Sequence, residues 1–254
     1  MIKKFKEFAN ESFLDHSVFG ALGSVLGGEK NYTVSNSTSS SIKSEDSSSP
    51  SFQSGSKGKQ VKLSQGILNV NTNKSAPLVV VFGGIDVGGK TSGQYMYDYF
   101  TSDILSKYTV FIANSSNVDG NKAWNEILLK CKELGISPTK KILYLFSGGY
   151  LPAMSIDKNA DVTKRLDYLS STFDKIFLVD IFIGKSGSNF YKRLAEKYGK
   201  ELEYYSYGGK NGAGGSGNSS VRKIIVSKAS KTYLDSPDHM KTNLEAVKSL
   251  KSQF

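Results

Sequence analysis

Ser147 stands where a serine could act as a nucleophile. It follows the apolar run KILYLF (141–146) and precedes a glycine, Gly148. A small residue after a nucleophile permits the sharp strand-to-helix turn that exposes the hydroxyl, and its backbone N–H can hold an oxyanion. A nucleophilic serine also needs a base, and the chain has 2 histidines, His16 and His239. Since the composition around His16 predicts a mobile arm, His239 is the candidate base.

The turn around Ser147 resembles the G-x-S-x-G nucleophile elbow of the α/β-hydrolase family, with Leu145 in place of the first glycine. His239 directly precedes a terminal amphipathic segment, which is where α/β hydrolases place their catalytic histidine. The resemblance implies that Asp180, at the end of the strand after the elbow, orients His239. These residues then follow the chain order Ser, Asp, His of that family.

The double glycine at 83–84 resembles the oxyanion loop of the same family, because it directly follows an apolar strand. The resemblance implies that the N–H groups of Gly84 and Gly148 hold the oxyanion while Ser147 attacks an ester or amide carbonyl. It implies no cofactor and no metal. The favoured function is therefore a serine hydrolase of α/β-hydrolase type.

The same glycines support a second chemistry, which is phosphate binding. Residues 84–91 (GIDVGGKT) match the pattern G-x-x-x-x-G-K-[ST] in full, between a predicted strand and a predicted helix. They resemble the start of a P-loop of thymidylate-kinase type, which implies a nucleotide and magnesium as cofactors. The residues implied for this alternative nucleotide site are Gly84, Gly89, Lys90, Thr91 and Asp180.

The charge and cysteine content exclude some classes of function. The formal net charge of +10 favours anionic partners, such as an anionic polymer substrate. The lysines are scattered and the arginines are few, whereas a nucleic-acid binder usually clusters them on one face, so nucleic acid is disfavoured. The single cysteine, Cys131, lies at an apolar helical position, which excludes an intrachain disulfide and a thiolate metal site.

The N-terminal third differs from the remainder in composition. Residues 1–28 carry phenylalanines at roughly helical spacing, which predicts a short amphipathic docking segment for a protein partner. Residues 29–76 are Ser/Lys-rich and predict a flexible linker, in which 61–70 is compatible with an edge strand. No signal peptide and no membrane span are expected, so the predicted location is cytoplasmic or virion-associated.

The opening MIKKFKEFANESF resembles proteins encoded by large tailed bacteriophages, many of which are virion components. That resemblance covers about the first dozen residues and fits two further interpretations. One is a baseplate-associated hydrolase, and the other is a non-catalytic structural or adaptor module of a phage particle.

Residues 77–254 must position the candidate residues. They alternate apolar runs with amphipathic segments, which predicts an α/β domain with a three-layer, doubly wound, mostly parallel sheet, preceded by a disordered N-terminal arm. Strands are predicted at 78–82, 108–113, 141–146, 175–182, 202–206 and 221–226. Helices are predicted at 94–100, 123–134, 190–198 and 240–250. Since ligands of open α/β sheets bind beyond the carboxyl ends of the strands, the site is expected there.

Overall fold

The computed structural model describes residues 58–84, 86, 90–157, 161–181, 185–207 and 219–253, without the side chains of 185–187 and 219. The predicted docking segment 1–28 and the predicted linker as far as residue 57 lie outside the described residues. Those two assignments stay predictions.

One sheet of eight strands runs through the described part of the chain, in the order β1-β2-β4-β3-β5-β6-β7-β8. Strands β3 to β8 are parallel, while β2 is antiparallel to both of its neighbours, β1 and β4. The predicted α/β class with a mostly parallel sheet is confirmed. The strands are β1 Lys59–Lys62, β2 Gly66–Val70, β3 Leu78–Phe82, β4 Thr109–Ala113, β5 Lys141–Phe146, β6 Lys175–Val179, β7 Leu202–Tyr207 and β8 Lys231–Ser236.

Helices cover both faces of this sheet, which confirms the predicted three layers. On one face lie α3 Gly120–Glu133, α4 Tyr150–Met154, α5 Val162–Thr172, α6 Lys185–Tyr198 and α7 Ser219–Lys228. On the other lie α1 Ser92–Met96, α2 Ser102–Leu105 and α8 His239–Lys251. Among the helices of the described ranges, none is long and apolar enough to cross a membrane.

The central strand β3 is apolar at every position because each of its faces meets a helical layer. In β3, Val80 and Phe82 join the core beneath α3 to α7, whereas Val79 and Val81 join the core beneath α1, α2 and α8. Successive side chains of a strand point to opposite faces, so only a sheet covered on both sides accepts such a run.

The sheet begins earlier than the sequence suggested. The stretch 61–70 was expected as one edge strand in a linker reaching residue 76, but β1 and β2 form a hairpin closed by a bond from Leu63 N–H to the Gly66 carbonyl (2.8 Å). β2 is interior, between β1 and β4. Ile67, Leu68 and Val70 are buried there, so the hairpin belongs to the α/β core.

The prediction of a strand at 221–226 is wrong. That stretch is the central part of α7, and the last strand of the sheet is β8. The run VRKIIV is rich in β-branched residues, which favours a strand on propensity. However, Val221 and Ile225 are spaced one helical turn apart and are buried together in the core beneath the helix, so packing overrides propensity.

Candidate active site

Ser147 occupies the turn directly after β5. Its φ is 55°, in the left-handed region that side chains other than glycine rarely adopt. Its N–H donates to the Val179 carbonyl at the end of the neighbouring strand β6 (2.9 Å), and the residue is 8% exposed. Strained backbone of this kind is concentrated at functional sites because the surrounding structure must hold it in place.

The turn is sharp because Gly149 packs directly on the end of β3. A Cβ at Gly149 would fall well inside van der Waals contact of the Phe82 carbonyl oxygen, so only glycine fits there. Leu145, which replaces the first glycine of the elbow pattern, is fully buried in the core beneath α3 to α7. The close approach of this turn to the end of β3 therefore depends on the second glycine of the pattern.

Asp180 follows β6 in an equally unusual conformation, with a φ of 42°. Its N–H donates to the Tyr205 carbonyl (2.7 Å), which fixes the backbone against β7. The carboxylate is almost fully buried: one oxygen contacts Nδ1 of His239, and the other accepts a hydrogen bond from the Ser206 hydroxyl (3.3 Å). The structure thus brings the sequence-predicted acid and base into direct contact.

His239 is held by stacking as well as by Asp180. Its ring stacks on Phe146 with a centroid distance of 4.4 Å and meets the edge of Tyr207 at 6.5 Å. Since Phe146 directly precedes Ser147 in the chain, the imidazole lies beside the elbow. Burial and the nearby carboxylates of Asp180 and Asp238 raise the pKa of the Tyr207 phenol.

The first turn of α8 is fixed by an N-cap. The Asp238 carboxylate accepts the Lys241 N–H (2.8 Å), and its carbonyl accepts the hydroxyls of Thr242 (2.8 Å) and Ser236 (3.1 Å). The bond from the Lys241 N–H satisfies a donor that the start of a helix leaves without a partner. They fix His239 as the first helical residue.

Gly84 adjoins Ser147 on the side away from β6. A Cβ at Gly84 would lie 2.8 Å from Cβ and 3.2 Å from Oγ of Ser147, so a side chain there would crowd the hydroxyl. The loop after β3 is tied down by Asp86, whose carboxylate accepts the Ser92 N–H (2.6 Å) and the Ser115 hydroxyl (2.7 Å). Of the two predicted oxyanion glycines, Gly84 lies next to Ser147 and Gly148 follows it in the chain.

The residues of the alternative nucleotide site that the structure describes have different structural roles. Gly89 lies outside the described residues, and Lys90 is exposed. Thr91 is the N-cap of α1, with its hydroxyl accepting the Gln94 N–H in a capping box. Asp180 contacts His239. Within the described ranges, no three His, Cys, Asp or Glu side chains cluster as metal ligands do.

Several side chains around the site were not anticipated from the sequence. Phe146 and Ser206 support His239 and Asp180, and Asp86 fixes the loop that carries Gly84. Each lies at the carboxyl end of a strand or in the loop after it, beside a residue that was anticipated. The position of Phe146 and Ser206 at the ends of β5 and β7 could have indicated that they lie near the site. Which residues at these ends contact Asp180 and His239 depends on the register of the sheet, which the sequence does not show.

No family model matches this chain, and no curated protein matches it in sequence. Solved structures similar in fold include TT1662 from Thermus thermophilus, at 9% identity and a TM-score of 0.46, covering 78% of this chain and 99% of that one. A lipase/esterase from Lactobacillus plantarum has 13% identity and a TM-score of 0.45, covering 77% and 97%. The siderophore hydrolase EstB from Aspergillus nidulans has 12% identity and a TM-score of 0.44, covering 80% and 96%.

Proposed function

We propose that the protein is a serine hydrolase of α/β-hydrolase type that cleaves an ester or an amide. Because the identities to the similar structures are so low, the proposal rests on the chain's own residues. The observation that carries it is the contact between Asp180 and Nδ1 of His239 beside Ser147, which sits in a left-handed turn. A base oriented by a buried acid next to a strained serine is the arrangement that nucleophilic catalysis requires.

The topology supports the assignment of roles. Ser147 follows β5, Asp180 follows β6 and His239 follows β8. The carboxyl ends of parallel strands meet at one edge of the sheet, so residues far apart in the chain converge there. The chain order Ser, Asp, His is that of the α/β hydrolases.

The proposed reaction proceeds through an acyl-enzyme. Ser147 Oγ attacks the carbonyl carbon while Nε2 of His239 takes its proton, and the carbonyl electrons move to the oxygen. When the tetrahedral intermediate collapses, His239 gives that proton to the departing alcohol or amine. Water then attacks the acyl group with His239 as base, and His239 passes that proton to Ser147 Oγ as the bond to the serine breaks and the acid leaves. Asp180 holds the imidazole by Nδ1 and stabilises its protonated form.

Two N–H groups are proposed to hold the negative oxygen. One belongs to Gly148, the residue after the nucleophile, and the other to Gly84 in the loop after β3. The Gly84 backbone passes close to the nucleophile, since the Cβ that Gly84 lacks would lie 3.2 Å from Ser147 Oγ. The net charge of +10 favours an anionic substrate such as a surface polymer. Virion association, which the resemblance of the opening residues to phage proteins implies, is part of the proposal.

Nucleotide binding is the second candidate, and one feature favours it. Helix α1 begins directly after the GIDVGGKT motif, at Ser92, which is the context a P-loop needs. On this proposal a nucleotide with magnesium would raise the melting temperature, and Lys90→Ala would abolish the rise. A non-catalytic adaptor module of a phage particle would give no response in this measurement or in the labelling described next.

The test is labelling by a fluorophosphonate probe, which reacts with activated serines. We expect wild-type protein to be labelled, Ser147→Ala to lose labelling completely, and His239→Ala to lose most of it, because the hydroxyl without a base is a poor nucleophile. Lys90→Ala is the matched control from the competing motif and should label as wild type. An unlabelled wild-type protein that is stabilised by Mg-ATP would replace the hydrolase proposal with the nucleotide one.

A further inference from the structure

We propose that the Tyr95 hydroxyl is a third donor to the oxyanion, beside the N–H groups of Gly84 and Gly148. The inference deepens the proposed hydrolase function and depends on it. It adds a catalytic side chain that the elbow pattern does not contain, because Tyr95 lies on α1 rather than in the loops that the pattern covers.

The position that a Cβ would occupy on Gly84 relates the Tyr95 hydroxyl to Ser147. That position lies 3.2 Å from Ser147 Oγ and 3.6 Å from the Tyr95 hydroxyl oxygen. The nucleophile and the phenol therefore both lie next to Gly84. We place the carbonyl oxygen of a substrate bonded to Ser147 beside Gly84, whose N–H is the proposed backbone donor, and so within reach of the phenol.

The backbone that carries Tyr95 is firmly placed. Helix α1 is closed by a capping box, in which the Thr91 hydroxyl accepts the Gln94 N–H and Gln94 Oε1 accepts the Thr91 N–H (2.7 Å). Asp86 accepts the Ser92 N–H (2.6 Å), which ties the same helix to the loop after β3. Tyr95 itself is half-buried. Donors to an oxyanion are most effective when they are fixed before the reaction in this way.

The phenol stays a donor over the working range of the proposed enzyme. Burial, and in second place the negative charge of Asp86, raise the pKa of Tyr95 well above its ordinary value. A neutral phenol carries the proton that a developing oxyanion attracts, and it need not give that proton up. During attack the carbonyl π electrons move to the oxygen and the Tyr95 hydrogen bond shortens; on collapse the C=O bond returns and Tyr95 is unchanged.

The experiment is the Tyr95→Phe variant, which keeps the ring and removes the hydroxyl. We expect the second-order rate of fluorophosphonate labelling at Ser147 to fall about 100-fold, the lower end of the loss on removing one oxyanion donor. With p-nitrophenyl acetate as substrate, kcat should fall by a similar factor while KM stays nearly constant, because the bond forms only as charge develops. Thermal unfolding of each variant should confirm that the rates are measured on folded protein.

Tyr97→Phe is the matched control. Tyr97 is two residues along from Tyr95, is buried in the same core that Tyr95 packs against, and directs its hydroxyl to the Ile112 carbonyl (3.5 Å). This variant should lower stability slightly and leave the labelling rate unchanged. Tyr95→Phe with a wild-type labelling rate, or with a raised KM at constant kcat, would overturn the role of Tyr95 alone. An unlabelled wild-type protein would overturn the hydrolase proposal itself.

Discussion

At the scale of single residues, the site depends on two residues whose backbone adopts an unusual conformation. Ser147 and Asp180 are the only residues other than glycine with positive φ among those the structure describes. Such conformations cost about 1–3 kcal/mol each and persist only where neighbouring contacts impose them. Here the imposing bonds are those from the Ser147 N–H to Val179 and from the Asp180 N–H to Tyr205.

This strain predicts an inverted order of stability at position 147. Ser147→Gly should have a free energy of unfolding about 1 kcal/mol above that of Ser147→Ala, because glycine adopts positive φ without steric cost. Urea denaturation measures the difference. Ser249, buried within helix α8, is the control: there the glycine variant should be the less stable one. Equal stabilities at position 147 would contradict the assigned strain.

Ser147, Asp180 and His239 could be identified from the sequence, but the features that identified them are not the contacts that hold them in the structure. His239 was the candidate base because the chain has 2 histidines, and Asp180 followed from a resemblance in chain order. The positive φ of Ser147 and Asp180 could not be predicted from the sequence, and neither could the contacts that Phe146 and Ser206 make with His239 and Asp180. Those contacts depend on which strands lie side by side, and a single sequence does not display that.

At the scale of elements, continuous apolar runs were predicted well and mixed runs were not. The strands at 78–82 and 141–146 have the expected bounds, because every residue of β3 and nearly every residue of β5 is buried. β8 is mostly polar and begins with exposed residues at the edge of the sheet, so its sequence KTYLDS lacks the alternation of apolar and polar residues that predicts a strand. The helix at 185–198 was predicted to begin at residue 190, because apolar side chains appear only from Phe190 onward. In the structure it begins five residues earlier.

Gly149, at the start of α4, packs against the end of β3. We expect Gly149→Ala to lower the free energy of unfolding by about 3 kcal/mol. The added Cβ meets the Phe82 carbonyl, which is backbone and cannot rotate away. Displacement of β3 would also move Gly84 away from Ser147, so fluorophosphonate labelling should slow. Chemical denaturation and the labelling rate provide the two measurements.

Gly135→Ala is the control for that variant. Gly135 has a φ of 64° and open space around a Cβ, so alanine there should cost only about 1 kcal/mol, from the backbone conformation alone. It should not affect labelling. A Gly149→Ala protein as stable as Gly135→Ala would show that the close approach of α4 and β3 is not required.

At the scale of the whole molecule, a buried carboxylate joins β6, β7 and the C-terminal helix at the end of the sheet opposite the site. Glu203 is 3% exposed and binds Lys175 on β6 (2.6 Å), the Tyr205 hydroxyl (2.6 Å) and the Ser249 hydroxyl on α8 (3.1 Å). Burial raises its pKa, but these hydrogen bonds and the charge of Lys175 together lower it more, so the net shift is downward.

A lowered pKa predicts how stability depends on pH. The contribution of Glu203 is complete above its ordinary pKa of 4.5 and is lost as the pH falls through the lower value of the folded state. Glu203→Gln should therefore lower the unfolding free energy at pH 7 by about 3 kcal/mol, because Lys175 loses its buried partner. The gap between variant and wild type should narrow below about pH 4.

Unfolding at several pH values measures this gap. Glu245→Gln is the control, since Glu245 pairs with Lys248 on the outer side of α8 at a position where a salt bridge contributes less than about 1 kcal/mol. Its effect should be small at every pH. A gap for Glu203→Gln that stays constant down to pH 3 would refute the ionic role of Glu203.

The outermost strand, β1, has a consequence for crowded solutions. Another chain can extend a sheet by adding to the strand at its edge. β1 is only four residues long and carries Lys59 and Lys62 at its ends, so two copies meeting edge to edge would bring like charges together. Short length and edge lysines are among the means by which proteins avoid joining their sheets, so we expect β1, the outermost of the described strands at this side of the sheet, to be a poor template for such pairing.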